Sequence, residues 1–187
     1  MHTANRTELR AYRWHKKTGL TLELTLLCLI ALLWVAQGTV PAGADDGTIY
    51  VNGAMGQDDS TCGAMSSPCQ TIGYAIDNRA DDGDRVLIAE GVYAENLEIS
   101  GKSVTLHGGY AISGTQWVED AGETVIDGGQ AGRTLFVHGS NSVFENLIIQ
   151  GGAADASECW GDSVWITNGD VTIRDSTIRN NSGGCAG

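Results

Sequence analysis

The stretch from Arg85 to Tyr110 constrains this chain more than any other. It holds three short apolar runs, Val86 to Ala89, Leu97 to Ile99 and Val104 to Leu106, separated by Gly, Asn, Ser and Lys. Runs this short, rich in Val and Ile and bounded by turn formers, read as β-strands rather than helices. Similar run endings recur downstream: Leu106-His107-Gly108-Gly109, Ile126-Asp127-Gly128-Gly129, Ile149-Gln150-Gly151-Gly152 and Ile178-Arg179-Asn180-Asn181. With Ile88 as the first member, positions 88, 106, 126, 149 and 178 lie 18, 20, 23 and 29 residues apart. Periods of roughly 20 to 30 residues belong to repeat architectures, in which each winding stacks on the one before. The spacing therefore predicts one column of stacked aliphatic side chains inside an all-β fold, a right-handed parallel β-helix.

Residues 1–44 stand apart from that pattern. Met1 to Lys17 carries Arg6, Arg10, Arg13, Lys16 and Lys17 against Glu8, and an apolar run from Leu24 to Ala36 follows. Ala42-Gly43-Ala44 then precedes Asp45. A basic segment, a short apolar core and a small-x-small site predict a secretory signal peptide and an extracellular or cell-envelope location. The alternative is a retained membrane anchor: Gly19 to Val40 is long enough to span a bilayer, at the cost of burying Glu23. Cleavage after Ala44 leaves residues 45–187, enough for one domain with a core. That portion carries six basic and 21 acidic residues, a formal charge of −15. Such a balance argues against nucleic acid and anionic lipid partners. It also disfavours an acidic polysaccharide unless a divalent cation bridges the two.

Four cysteines follow the signal segment, Cys62, Cys69, Cys159 and Cys185, an even count that suits disulfides in an exported chain. Cys62 and Cys69 flank Gly-Ala-Met-Ser-Ser-Pro and can staple that loop. Cys159 and Cys185 leave the same column position in consecutive windings, ten residues after Ile149 and seven after Ile178. Metal binding is not expected, because C-x-x-C spacing and partner histidines are missing.

Thr48 to Val51 reads as a first strand, followed by a polar loop from Asn52 to Pro68. Ile72, Ala75, Ile76 and Ala80 then mark one face of a short helix, suited to plug the open end of a solenoid. Asp81-Asp82-Gly83-Asp84 ends it as a solvated turn, lacking the alternating acids of a Ca²⁺ loop. The run Cys69-Gln-Thr-Ile-Gly-Tyr-Ala-Ile76, with Gly83 to Ile99 and Val104 to Tyr110, resembles the N-terminal part of exported bacterial β-helix repeat proteins of the pectin lyase-like superfamily. Gly91-Val92-Tyr93-Ala94-Glu95 is also similar to the G-x-Y-x-E element of pectin methylesterases. The resemblance implies a fold for residues 49–187. It implies little about activity, because such solenoids carry lyases, hydrolases, esterases, adhesins and proteins of no known activity.

Downstream, the best internal match has an offset of 29: Leu135-Phe136-Val137 with Val164-Trp165-Ile166, and Phe144 to Ile149 with Ile173 to Ile178. The extra length lies in Ala153 to Asp162, a loop carrying Cys159 and Trp160. Trp160 and Gln150 are the candidate glycan contacts. Strand alternation predicts an outward column of His107, Asp127, Gln150 and Arg179 beside the aliphatic one. Asp127 and His107 are its candidate catalytic groups, set against the simpler expectation of an exposed polar ladder. His138 is expected at a strand end. No second acid joins Asp127 for glycoside hydrolysis, and the catalytic strands of esterases and the motifs of polygalacturonases are missing. The chain ends on a turn that in the resembled proteins leads into another strand, so an N-terminal portion of a longer solenoid is expected.

The expectation is a secreted or cell-surface structural and adhesive module that binds extracellular polysaccharide or a cell-surface component, without a cofactor. The alternative is a polysaccharide-active enzyme, a lyase, esterase or glycoside hydrolase, for which Ca²⁺ becomes a plausible requirement. A third reading is a surface stalk held by the uncleaved N-terminal segment.

Overall fold

A computed structural model of the chain describes residues 47–119, 122–153 and 163–183. Thirteen strands and one helix make up these residues: β1 Thr48–Val51, α1 Ile72–Asn78, β2 Arg85–Ala89, β3 Gly91–Tyr93, β4 Leu97–Ser100, β5 Thr105–Ser113, β6 Gln116–Val118, β7 Thr124–Asp127, β8 Leu135–His138, β9 Val143–Glu145, β10 Leu147–Gln150, β11 Val164–Thr167, β12 Thr172–Arg174 and β13 Thr177–Ile178. The expected first strand matches β1. The fold is mainly β, and its strands pair in parallel except for β5 with β6.

The strands form three sheets, and the chain visits them in rotation. The first sheet has the order β1-β2-β5-β9-β12, with β6 attached to β5; the second has β3-β7-β10-β13; the third has β4-β8-β11. Thus β2, β3 and β4 contribute one strand to each sheet, and so do β5, β7 and β8, then β9, β10 and β11. Parallel partners need a crossover between them. Here the rest of the winding supplies it.

Register places matching side chains in rows. In the first sheet Ile49, Val86, Leu106, Phe144 and Ile173 are successive partners. Tyr93, Ile126, Ile149 and Ile178 form a row in the second sheet, and Leu97, Leu135 and Val164 one in the third. Members from the earlier windings are buried and form one apolar core. Burying a Val, Leu, Ile or Phe contributes about 1.5–3 kcal/mol per side chain. The expected single aliphatic column is in fact two. Leu106 pairs with Val86 and Phe144 in the first sheet, whereas Ile126, Ile149 and Ile178 stack in the second. The spacing of 20 residues from Leu106 to Ile126 reflects that change of sheet, and the 18 from Ile88 to Leu106 joins two residues of the first sheet that are not register partners, while the 29-residue offset holds throughout β8–β11, β9–β12 and β10–β13.

The helix lies where its apolar spacing predicts. Thr71 caps it by accepting from the Tyr74 amide, and Ile72, Ala75 and Ile76 are buried against β1, β2 and β4. Lys102 Nζ donates to the carbonyls of Ile76 and Ala80, both at 2.9 Å, satisfying the C-terminal end. Cys62 and Cys69 form a disulfide that closes the preceding loop. That loop adds to the sheet edge: Cys69 bridges Val51, and its amide donates to the Tyr50 carbonyl. Asp81 to Asp84 make the expected turn, with Asp82 accepting from the Ser103 amide and Asp84 from the Asp81 amide. The β5–β6 hairpin was not expected; the Gly114-Thr115 turn that makes it is its only local sign.

Candidate functional site

The outward faces hold the polar and aromatic residues singled out in the sequence, and register decides which of them meet. In the second sheet Asp127 and Gln150 are direct partners, and Arg179 follows Ile178 at the next level. Gln150 Nε2 donates to Asp127 Oδ2 at 2.8 Å, and Arg179 Nε donates to Gln150 Oε1 at 3.3 Å. Asp127 Oδ1 also accepts from the Gly129 amide at 2.9 Å. The Gln150 amide, helped by that of Gly129, holds the Asp127 carboxyl below its ordinary range. A carboxylate stabilised in its charged form by two donors is a poor general base.

His107 does not belong to this row. It sits in β5, in the first sheet, in the row Tyr50, Leu87, His107, Glu145 and Arg174. The residue is only 5 % exposed. Arg85 Nη2 donates to Nδ1 at 3.3 Å, with the Tyr110 hydroxyl 3.4 Å and Glu145 Oε2 3.5 Å from the same nitrogen. Glu119 Oε1 lies 3.3 Å from Nε2, and Asn146 Nδ2 lies 3.2 Å from it. Glu145, itself buried, is paired with Arg174 from the next strand. The expected column linking His107 to Asp127 is therefore corrected. Leu106 and Ile126 look alike in sequence but lie on different sheets, and His107 is a buried link between strands.

The third sheet carries an aromatic row. Phe136 and Trp165 are register partners with ring centroids 5.0 Å apart and planes 27° apart, and the Arg133 guanidinium lies 4.3 Å over the Trp165 ring. His138 ends β8 as expected and bonds through Nδ1 to the Thr167 hydroxyl at 2.8 Å. Sequence reasoning passed over Glu145, Arg174, Phe136 and Trp165 as interacting groups. The signal that locates them is the same 29-residue offset, which pairs Glu145 with Arg174 and Phe136 with Trp165.

The G-x-Y-x-E element has a structural explanation. Tyr93 is buried; its hydroxyl donates to the Ala89 carbonyl at 3.0 Å and accepts from the Gly53 amide at 3.2 Å. Burial raises its pKa to about 12. Glu95 accepts from the amides of Ile72 at 2.9 Å and Gly73 at 2.7 Å, the first turn of α1. Burial pushes the Glu95 carboxyl up, against the effect of these two bonds. Together Tyr93 and Glu95 tie the helix and the disulfide loop to the first winding.

Among the described residues, Asp58, Cys62 and Cys69 are the one group whose potential metal-ligand atoms come together. Their chemistry does not suit an ion: the sulfurs are joined, and Asp58 accepts from the Gln70 and Thr71 amides and the Thr71 hydroxyl. A groove of about 680 Å³ lies between this loop and the β5–β6 hairpin, lined by Met55, Met65, Pro68, Ile112 and Trp117. Met55 and Met65 are exposed. Cys159, Cys185 and Trp160 lie outside the described residues. Compared with protein-family models, curated proteins and solved structures, the chain matches none.

Proposed function

We propose that the three-sheet rotation is a right-handed parallel β-helix of the pectin lyase-like kind, exported behind residues 1–44. On this reading it works outside the cell as a structural and adhesive module. The observation that carries the functional reading is that outward groups bond along their rows. Asp127, Gln150 and Arg179 form one chain of contacts, His107, Glu145 and Arg174 a second, and Phe136 with Trp165 a third. Side chains that satisfy one another between windings stiffen a scaffold, and groups spent in this way are not poised for proton transfer. The surface partner is an extracellular polysaccharide or cell-envelope component. Its contact belongs to Trp160, since Gln150 already bonds on both sides.

Incubating the full chain with neutral and acidic polysaccharides, with and without Ca²⁺, tests this reading. Retention on a polymer with no released reducing ends, unsaturated products or methanol is the expected result. Product that disappears in an Asp127→Ala variant would make the protein an enzyme and overturn the proposal.

A further inference from the structure

Two Asn-Gly pairs fall within the described residues, Asn52-Gly53 and Asn168-Gly169, and the fold treats them in opposite ways. Glycine after asparagine leaves no Cβ to obstruct the following amide nitrogen as it approaches the asparagine side chain. At Asn52 that approach is blocked. The residue is only 4 % exposed, and its Oδ1 accepts from the amides of Ala54 at 2.9 Å and Met55 at 3.1 Å. The neighbouring Gly53 amide is engaged by the Tyr93 hydroxyl. Both the electrophilic carbon and the attacking nitrogen are thus held in place.

Asn168 is held by none of these. It is exposed, in the turn after β11, and among the described residues neither its side chain nor the Gly169 amide makes a hydrogen bond. The turn is also conformationally loaded. The rows of the third sheet place Asn168 in line with Gly101 and Gly139, each one residue past the partners Ser100, His138 and Thr167. All three adopt positive φ, 69°, 61° and 54° in turn. Left-handed backbone costs glycine nothing, whereas asparagine tolerates it at some expense.

We infer that Asn168 is a site of spontaneous succinimide formation, and that the winding beyond it ages chemically. The Gly169 nitrogen, after losing its proton to hydroxide, attacks Cγ of Asn168. A C–N bond forms, the bond to the side-chain nitrogen breaks, and that nitrogen leaves as ammonia. Water then opens the ring at either carbonyl, giving aspartate or isoaspartate; no oxidant or reductant is involved.

The two products have different consequences. Aspartate keeps the backbone and the turn. Isoaspartate lengthens the main chain by one methylene, in a turn with no space for it. A Cβ on Gly169 would already run into the Ser140 carbonyl, and Asp170 and Thr172 are fixed by their amide bonds to Asn141 and Ser142, both at 3.0 Å. Isoaspartate at 168 therefore pulls β12 away from β9.

Peptide mapping by mass spectrometry tests this, after the full, disulfide-intact chain is held at physiological temperature in mildly alkaline buffer. Deamidation at Asn168 is expected to outpace that at Asn52 by roughly tenfold or more, because Asn52 has to wait for local opening. In denaturant with reductant the two rates should converge. An Asn168→Gly variant, which suits the left-handed turn, should remove the modification and leave the folded state intact. Equal rates in the folded chain, or an Asn168 that stays unmodified while the unfolded chain reacts, would overturn the inference.

Discussion

Replacing Glu95 with alanine tests whether the G-x-Y-x-E element is architecture. The Glu95 carboxyl accepts two amide hydrogen bonds from the first turn of α1, at 2.9 and 2.7 Å, and among the described residues no other acceptor serves the Ile72 and Gly73 amides. An intramolecular hydrogen bond contributes about 0.5–1.5 kcal/mol net, and more when its acceptor is charged. Glu95 is half-buried, and water reaches the bared amides in the variant, so the combined loss is about 2–3 kcal/mol. Single domains are stable by only about 5–15 kcal/mol, so Glu95→Ala should lower the denaturation midpoint clearly without changing the denaturant slope. The effect has a pH signature. Burial raises the Glu95 carboxyl above its unfolded value. Its contribution is therefore full below the ordinary carboxyl range and diminishes as pH rises through the raised value. The gap between wild type and Glu95→Ala should be widest in acid and narrower at neutral pH. Chemical denaturation followed by tryptophan fluorescence at several pH values measures it. A variant as stable as wild type at every pH would refute the helix-anchoring account and return Glu95 to consideration as a reactive group.

Three further outcomes are expected. Phe144→Ala, which empties a fully buried position in the longest row of the core, should destabilise the domain by about 3–5 kcal/mol in the same denaturation assay. Gln150→Ala should raise the Asp127 pKa, read from its carboxyl NMR shift. Because Gln150 and Gly129 lower that pKa, Asp127 supports the fold above the ordinary carboxyl range and ceases to as pH falls through the lowered value. An unmoved titration would show that the ladder contact does not form in solution. Tyr93 should ionise near pH 12, and stability should fall between pH 10 and 12, a loss that Tyr93→Phe abolishes.

Much of the fold was legible because β-rich repeats write their period into the sequence. Thr48–Val51, the buried face of α1 and the 29-residue offset all follow from local pattern, and each has its counterpart in the structure. Which sheet each strand joins was not legible. Leu106-His107-Gly108-Gly109 and Ile126-Asp127-Gly128-Gly129 share a pattern, yet the first lies in β5 and the second at the end of β7. A period-2 alternation says which residues point inward, not toward which of three walls they point. The same ambiguity put His107 beside Asp127. The hairpin β5–β6 was hidden for another reason: a tight turn within a long strand resembles the turns between windings. Glu95 was noticed through its motif, but its partner turn lies 22 and 23 residues earlier, and no local rule links the two.

The parallel rows also have a mechanical consequence. The bonds between successive windings run across the strands, so tension along the stack loads the three short ladders of one winding before the next is stressed. On the proposed β-helix reading, such a stack yields by peeling, one winding per event, rather than by a single cooperative rupture. Where the repeat is 29 residues, as between Leu135 and Val164, each event pays out on the order of 100 Å of extended chain. The disulfide between Cys62 and Cys69 keeps its small loop closed through any such event. Parallel rows built in this way lengthen in steps under load.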